Sequence, residues 1–229
     1  IDIHAHAVLA GSLGTAGRHG PEMGYTESGA PWFRVGDYRL DGVRYEGSPF
    51  MEADVRLTNM DAAGIDFQVL SPNPLTYFHH IGPSDAVGFC EQHNNALAEV
   101  VLAHPTRLAG FAALPMQDIQ AACAELERAI NELDLLGAYI GTDIGRPLND
   151  PALDPVYEKV VQPLAAAPAV ADLAAFLEER RFTGPLSAGL AGCRFNELLP
   201  QPPNPRYKLC VIGFTAPGGW EFNTDKDKT

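Results

Sequence analysis

The sequence is short of basic charge, of cysteine and of long apolar runs. Lys and Arg total 16 against 29 Asp and Glu, a net charge of −13. Nucleic acids and anionic membranes are gripped by basic surface, so partners of both kinds are disfavoured. No apolar run approaches the roughly 20 residues that a membrane-spanning helix needs. The four cysteines, Cys90, Cys123, Cys193 and Cys210, lie far apart and form no CxxC. They read as reduced, mostly buried thiols rather than a disulfide framework, in keeping with a cytoplasmic setting. No secretory signal opens the chain, which starts on Ile1, so a processed chain or a fragment is expected. No GxSxG elbow surrounds Ser12, Ser71 or Ser187, and no phosphate-cradling glycine loop is present. Internal repeats and coiled-coil heptads are also missing. What remains is an ordinary globular composition, 46% hydrophobic and 20% charged over 229 residues. That is enough for one sizeable core or two small ones.

Up to about residue 162 one pattern recurs. A short apolar run gives way to a loop and then to an amphipathic helical stretch. The runs are Ile1 to His6, Ile65 to Ser71, Leu108 to Leu114 and Leu135 to Gly141. Each is bounded by Gly or Pro, as buried parallel strands are. Helices are expected at Ala53 to Ala63 with Gly64 as the stop, at Asp85 to Ala103 with Ser84 as N-cap, and at Asp118 to Leu133. Asp154 reads as the N-cap of a further helix, Val156 to Gln162, with Pro155 in its first turn. Alternating strands and helices predict a parallel α/β fold. Residues 7–51 lack a helical period and read as a long excursion after the first strand, where such folds build their sites. Residues 163–229 break the pattern: an Ala/Leu helix, a Pro-rich connector at 200–205 and a possible final strand at Lys208 to Thr215.

Asp2, His4 and His6 alternate along the first strand, and a period of two places all three on one face. Two imidazoles at the C-terminal end of such a strand can reach one metal ion, and zinc suits imidazole nitrogen. A catalytic zinc ordinarily takes three protein ligands and an open position, so the pair is half a site.

These residues carry a family resemblance. Ile1-Asp2-Ile3-His4-Ala5-His6 resembles the first-strand motif of the amidohydrolase superfamily. Met60-Asp61-Ala62-Ala63-Gly64-Ile65-Asp66, Gln68-Val69-Leu70-Ser71, Asn94-Asn95, His104 through Pro115, Leu136-Gly137-Ala138 and Asn149 through Tyr157 extend it. Together they resemble the amidohydrolase-related branch that contains aminocarboxymuconate-semialdehyde decarboxylase and related aromatic-acid decarboxylases. The resemblance implies a (β/α)8 TIM-type barrel and a divalent metal, usually Zn²⁺, with His4 and His6 as ligands. It also implies a His at the end of strand 5, a His after strand 6 and an Asp ending strand 8. This chain has no His after His104. A barrel of this kind typically takes about 250 residues. The expectation is therefore an incomplete barrel: about four βα units in 1–162, with the insertion at 7–51, and an atypical segment at 163–229. A half-barrel would expose a strand edge, and homodimerisation through it follows as an expectation.

Further candidates line the strand ends. Asn73, His80 and Asp143 are weak candidates for substrate contact; turn chemistry, an outward-facing histidine and a loop acid are the alternatives. Adjacent His79 and His80 point opposite ways in an extended segment and cannot share a metal. Arg34, Arg39 and Arg44 could fork a carboxylate or simply lie on the surface. The resemblance implies a metal-dependent enzyme that decarboxylates or hydrolyses a small carboxylated compound, aromatic or not. An inactive family fragment, serving as a binding or oligomerising module, is the alternative. A phosphoesterase on a neighbouring HxH barrel is a third reading, and the Met60 to Asp66 segment favours the decarboxylase branch.

Overall fold

A computed structural model describes residues 1–141, 144–148 and 150–161. The helix, connector and strand expected within 163–229, with Cys193 and Cys210, lie outside the described residues. Within them, four short apolar runs line up side by side. β1 (Asp2–Ala7) pairs in parallel with β5 (Gln68–Pro72), which pairs in parallel with β6 (Leu108–Gly110). The run expected at 135–141 takes the fourth place through one parallel bridge, Ala112 to Ala138. Backbone bonds secure it: Leu136 N–H donates to Gly110 O at 2.9 Å and Tyr139 N–H to Ala112 O at 2.9 Å. No closed barrel forms among the described residues.

The helices lie close to where periodicity puts them. α1 spans Ala53–Ala62, α2 Pro83–Ala103, α3 Ile119–Asn131 and α4 Asp154–Val161. Asp118 caps α3 by accepting from the Ala121 amide at 3.1 Å. Two expected boundaries move. α2 starts one residue earlier than Ser84, after Gly82, because Pro83 has no N–H to lose in the first turn. Asp150, rather than Asp154, supplies the cap near the fourth helix: it serves a short 3-10 turn at Pro151–Leu153, and α4 follows directly. No helix among the described residues is long and apolar enough to cross a membrane.

The excursion at 7–51 holds regular structure that lies beyond a purely non-helical reading. β2 (Glu22–Tyr25), β3 (Pro31–Val35) and β4 (Tyr38–Asp41) form an antiparallel meander. Gly36, at φ +57, makes the tight turn between the last two, a conformation open to glycine at no steric cost. Two of the candidate arginines serve this meander. Arg34 pairs with Glu22 at 2.7 Å, and Arg39 pairs with Asp41 at 2.7 Å while lying over Trp32.

The parallel strands are covered on both faces. Leu70, Leu97, Leu108, Leu126 and Leu135 pack the sheet against the helices. Val69, Ala109, Phe111 and Tyr139 gather on the other face. A second core joins Phe33 of the meander to Phe78 and Phe89 on the α2 side. Cys90 and Cys123 are buried, as expected.

His93 of α2 is an anomaly in this interior. It is 2% exposed and its ring stands 5.5 Å from that of Phe89. Neither ring nitrogen has a hydrogen-bond partner among the described residues. Burial alone lowers its pKa from 6.5 to about 4. Between those values the unfolded chain binds a proton that the folded chain refuses, so stability rises with pH across the window. Acidification from pH 7.5 to 4 is expected to cost about 3 kcal/mol through this one group. Urea unfolding of the wild type against His93→Leu checks it: the variant should lose that part of the acid slope and be no less stable at pH 7.5. Parallel slopes would refute it.

Candidate active site

The first strand carries the site because its C-terminal end opens on the rim of the sheet. Its register is irregular: Asp2 faces Gln68, but the next matched pair is Ala5 with Leu70, so three steps on β1 oppose two on β5. A bulge of this kind re-aims side chains. It takes Asp2 out of the expected alternation with the histidines. The Asp2 carboxylate accepts from the His4 amide at 3.0 Å and from Gln68 Nε2 at 2.7 Å. His4 and His6 stay together, with ring centroids 4.8 Å apart and planes at 79°.

His6 is the better-fixed of the two. Its Nδ1 lies 2.9 Å from the Pro72 carbonyl and 3.0 Å from Ser71 Oγ. A carbonyl only accepts, so Nδ1 carries the proton and Nε2 presents its lone pair. Ser71 in turn donates to the Ala5 carbonyl at 3.2 Å. The pKa of His6 is lowered, first by burial and further by the nearby His4 and Arg56; the bond to Pro72 opposes this. A neutral imidazole with one nitrogen anchored to a carbonyl is the form that ligates metals.

Tyr139 completes the group. Its ring lies 5.9 Å from both imidazoles and its hydroxyl 3.4 Å from His4 Nδ1. Tyr77 stands 6.0 Å from Tyr139, and His79 stacks on Tyr77 at 5.8 Å. Burial raises the pKa of both tyrosines, so they stay protonated at any ordinary pH. Gly141 permits this approach, since a Cβ there would fall 2.9 Å from the Tyr77 ring. Sequence reasoning missed Tyr139. The available signal was an aromatic with a polar tip near the C-terminal end of the fourth run.

The weaker candidates fare differently. His80 is exposed, with its ring near those of Phe78 and His19, and is not brought to the His4–His6–Tyr139 group. Its neighbour His79 stacks on Tyr77 instead, because adjacent side chains here diverge. Asn73 is buried and accepts from the Leu75 amide at 3.0 Å, capping the short turn Pro74–Thr76. Asp143 lies outside the described residues. Two imidazoles thus fit a divalent metal. No group of three or more His, Cys, Asp or Glu suited to a metal forms among the described residues.

Beside the pair, a cleft of about 430 Å³ runs between β1 and α1, lined in part by Phe50, Arg56, Met60 and Gln68. The HxH strand, the parallel βα order and the sequence itself converge on one family, matched over residues 1–163. The chain belongs to the amidohydrolase family. It is 37% identical over 92 residues to a 2-amino-3-carboxymuconate-6-semialdehyde decarboxylase of Dictyostelium discoideum, covering 40% of this chain and 26% of that protein. It is 41% identical over 87 residues to a gamma-resorcylate decarboxylase of Polaromonas, covering 38% and 27%. The matched segment therefore spans about a quarter of the length of these relatives. Among solved structures, a dihydroxybenzoic acid decarboxylase of Polaromonas, crystallised with manganese and 2-nitroresorcinol, superposes with a TM-score of 0.52 at 25% identity. That match covers 77% of this chain and 53% of the other. An amidohydrolase II protein shares the fold at a TM-score of 0.53 and 19% identity, covering 71% and 47%. The family relatives include decarboxylases of carboxylated aromatics.

Proposed function

We propose that this chain is the metal-binding strand and first βα units of a (β/α)8 amidohydrolase, and that its chemistry is non-oxidative decarboxylation of a small carboxylated aromatic. The observation that carries the reading is the His4–His6 pair, with His6 Nδ1 held by Pro72 so that its other nitrogen is free. His4 and His6 would hold a divalent cation, manganese as in the related structure or zinc. A bound cation supplies positive charge that stabilises the anion developing as CO₂ leaves.

This chain's own residues do the rest. The protonated Tyr139 hydroxyl, beside His4, can donate a hydrogen bond to a ligand oxygen. Tyr77 and Tyr139 form an aromatic wall on which a substrate ring can lie. The relatives' names as decarboxylases support this chemistry over hydrolysis. We take residues 1–162 as the barrel portion and 163–229 as a distinct segment, with assembly as a homodimer in the cytoplasm. A second reading, an inactive fragment with a binding or oligomerising role, draws on the two-imidazole donor set and the absence of any His after His104.

The test is turnover. The full chain, loaded with Mn²⁺ or Zn²⁺, is incubated with 2,6-dihydroxybenzoate, and resorcinol and CO₂ are followed by chromatography. Metal-dependent release is expected. Bound metal without release on any carboxylated aromatic would favour the inactive reading, and release from phosphoesters alone would move the chain to the phosphoesterase class.

A further inference from the structure

Resting on that reading of His4 and His6 as metal ligands, we infer that Arg56 is a positioning residue. Through a partly buried relay with Gln68 and Asp2, it holds the backbones of both histidines across the bulge in β1.

The relay is continuous. Arg56 Nη2 donates to the His6 carbonyl at 2.7 Å, and Arg56 Nη1 donates to Gln68 Oε1 at 2.6 Å. Gln68 Nε2 donates to Asp2 Oδ2 at 2.7 Å, and Asp2 Oδ1 accepts the His4 amide at 3.0 Å. One end of the chain of bonds is thus the carbonyl of one histidine and the other end the amide of the other. The Gln68 amide fits in one orientation only, oxygen toward the guanidinium and nitrogen toward the carboxylate.

β1 needs such support. It pairs with β5 on one side and with no other strand among the described residues. Its ladder is interrupted between Asp2 and Ala5, where His4 lies. A bulged strand paired on one side has lost the bonds that would fix two side chains at a set spacing. Arg56 is 8% exposed on the inner side of α1, where an aliphatic residue would pack without the desolvation that a guanidinium suffers. Its planar fork serves two acceptors at once, which an ammonium cannot do in the same geometry. Asp2 balances its charge through Gln68, so the relay is neutral as a whole.

The experiment uses the full chain with Arg56→Met, Arg56→Lys and Gln68→Met, and Leu153→Ala, in the turn before α4, as a core variant outside the relay. Mn²⁺ and Zn²⁺ affinities are measured by calorimetry, folding by circular dichroism, and the His6 tautomer by imidazole ¹⁵N spectra of the metal-free protein. Arg56→Met and Gln68→Met are expected to weaken metal binding about tenfold to a hundredfold, the range for residues that orient metal ligands. Both should also reduce the Nδ1–H form of His6. Arg56→Lys should fall between them and the wild type, and Leu153→Ala should bind metal as the wild type does.

Folded Arg56→Met and Gln68→Met proteins with wild-type affinity and an unchanged His6 spectrum would overturn the inference. So would full rescue by Arg56→Lys, or an equal loss in Leu153→Ala. If Arg56→Met does not fold, Gln68→Met and Arg56→Lys decide by the same criteria. If the wild type binds no metal, the proposed metal site falls, and the relay is judged by the His6 tautomer alone.

Discussion

Replacing His4 and His6 together by alanine is expected to abolish metal retention. The wild-type chain, loaded and dialysed, should hold about one divalent ion, and elemental analysis of the double variant should find none above background. The single variants should be unequal. His6 is partly buried and anchored to Pro72 and Ser71, so it offers its lone pair with little ordering left to do. His4 is exposed, and its ring is steadied by Tyr139 at 3.4 Å. His6→Ala should therefore be the more damaging, by about tenfold in affinity. Equal metal content in the wild type and the double variant would mean that any bound metal sits elsewhere. The metal reading of this strand would then fail.

The largest expected effect on stability comes from Asn94. Its side chain closes a two-way bond with the backbone of residue 113: Nδ2 donates to Ala113 O at 2.9 Å, and Ala113 N–H donates to Oδ1 at 2.8 Å. The same amide donates to Glu125 Oε1 at 2.6 Å, and Glu125 is held by Arg128 from the next turn of α3. Asn94 thereby ties α2, α3 and the segment that follows β6 together in the interior. Asn94→Leu keeps the branching of the side chain but strands a buried amide and carbonyl and removes a donor from a buried carboxylate. At about 1–3 kcal/mol for each stranded group, a loss of about 4 kcal/mol is expected. Urea denaturation measures it. A change below about 1 kcal/mol would show that water or a shifted backbone satisfies residue 113 without Asn94. The effect should leave metal affinity per folded chain unaltered, which separates it from the changes at Arg56.

Much of the scaffold was legible because its signals are local. Leu126 and Ala122 recur at helical spacing, and Asp118 stands at the start of their helix where its carboxylate can meet a free amide. The Ile65 to Ser71 run reads as a strand buried on both faces, and β5 is that. The meander was less legible. Its strands are four or five residues long, too short for alternation to stand out, and they owe their pairing to turns such as the one at Gly36. The candidates Asn73 and His80 show the same limit. Chemistry alone made them eligible for the site. The chain path put one into a turn cap and left the other on the surface.

The sequence by itself determined the order of parallel strands and helices, the family to which the chain belongs, and the placing of His4 and His6 together at the end of β1. The element order and the histidine pair follow from spacing within a few residues, and the family from an ordered set of motifs along residues 1–163. The tertiary structure alone decided which distant residues serve that pair. Tyr139 lies 135 positions from His4, and Arg56 lies 50 from the carbonyl it grips. The bulge in β1 turned Asp2 from a presumed companion of the imidazoles into an anchor for their backbone. Such contacts depend on register and packing between separate segments, where a slip of one residue changes the face a side chain takes.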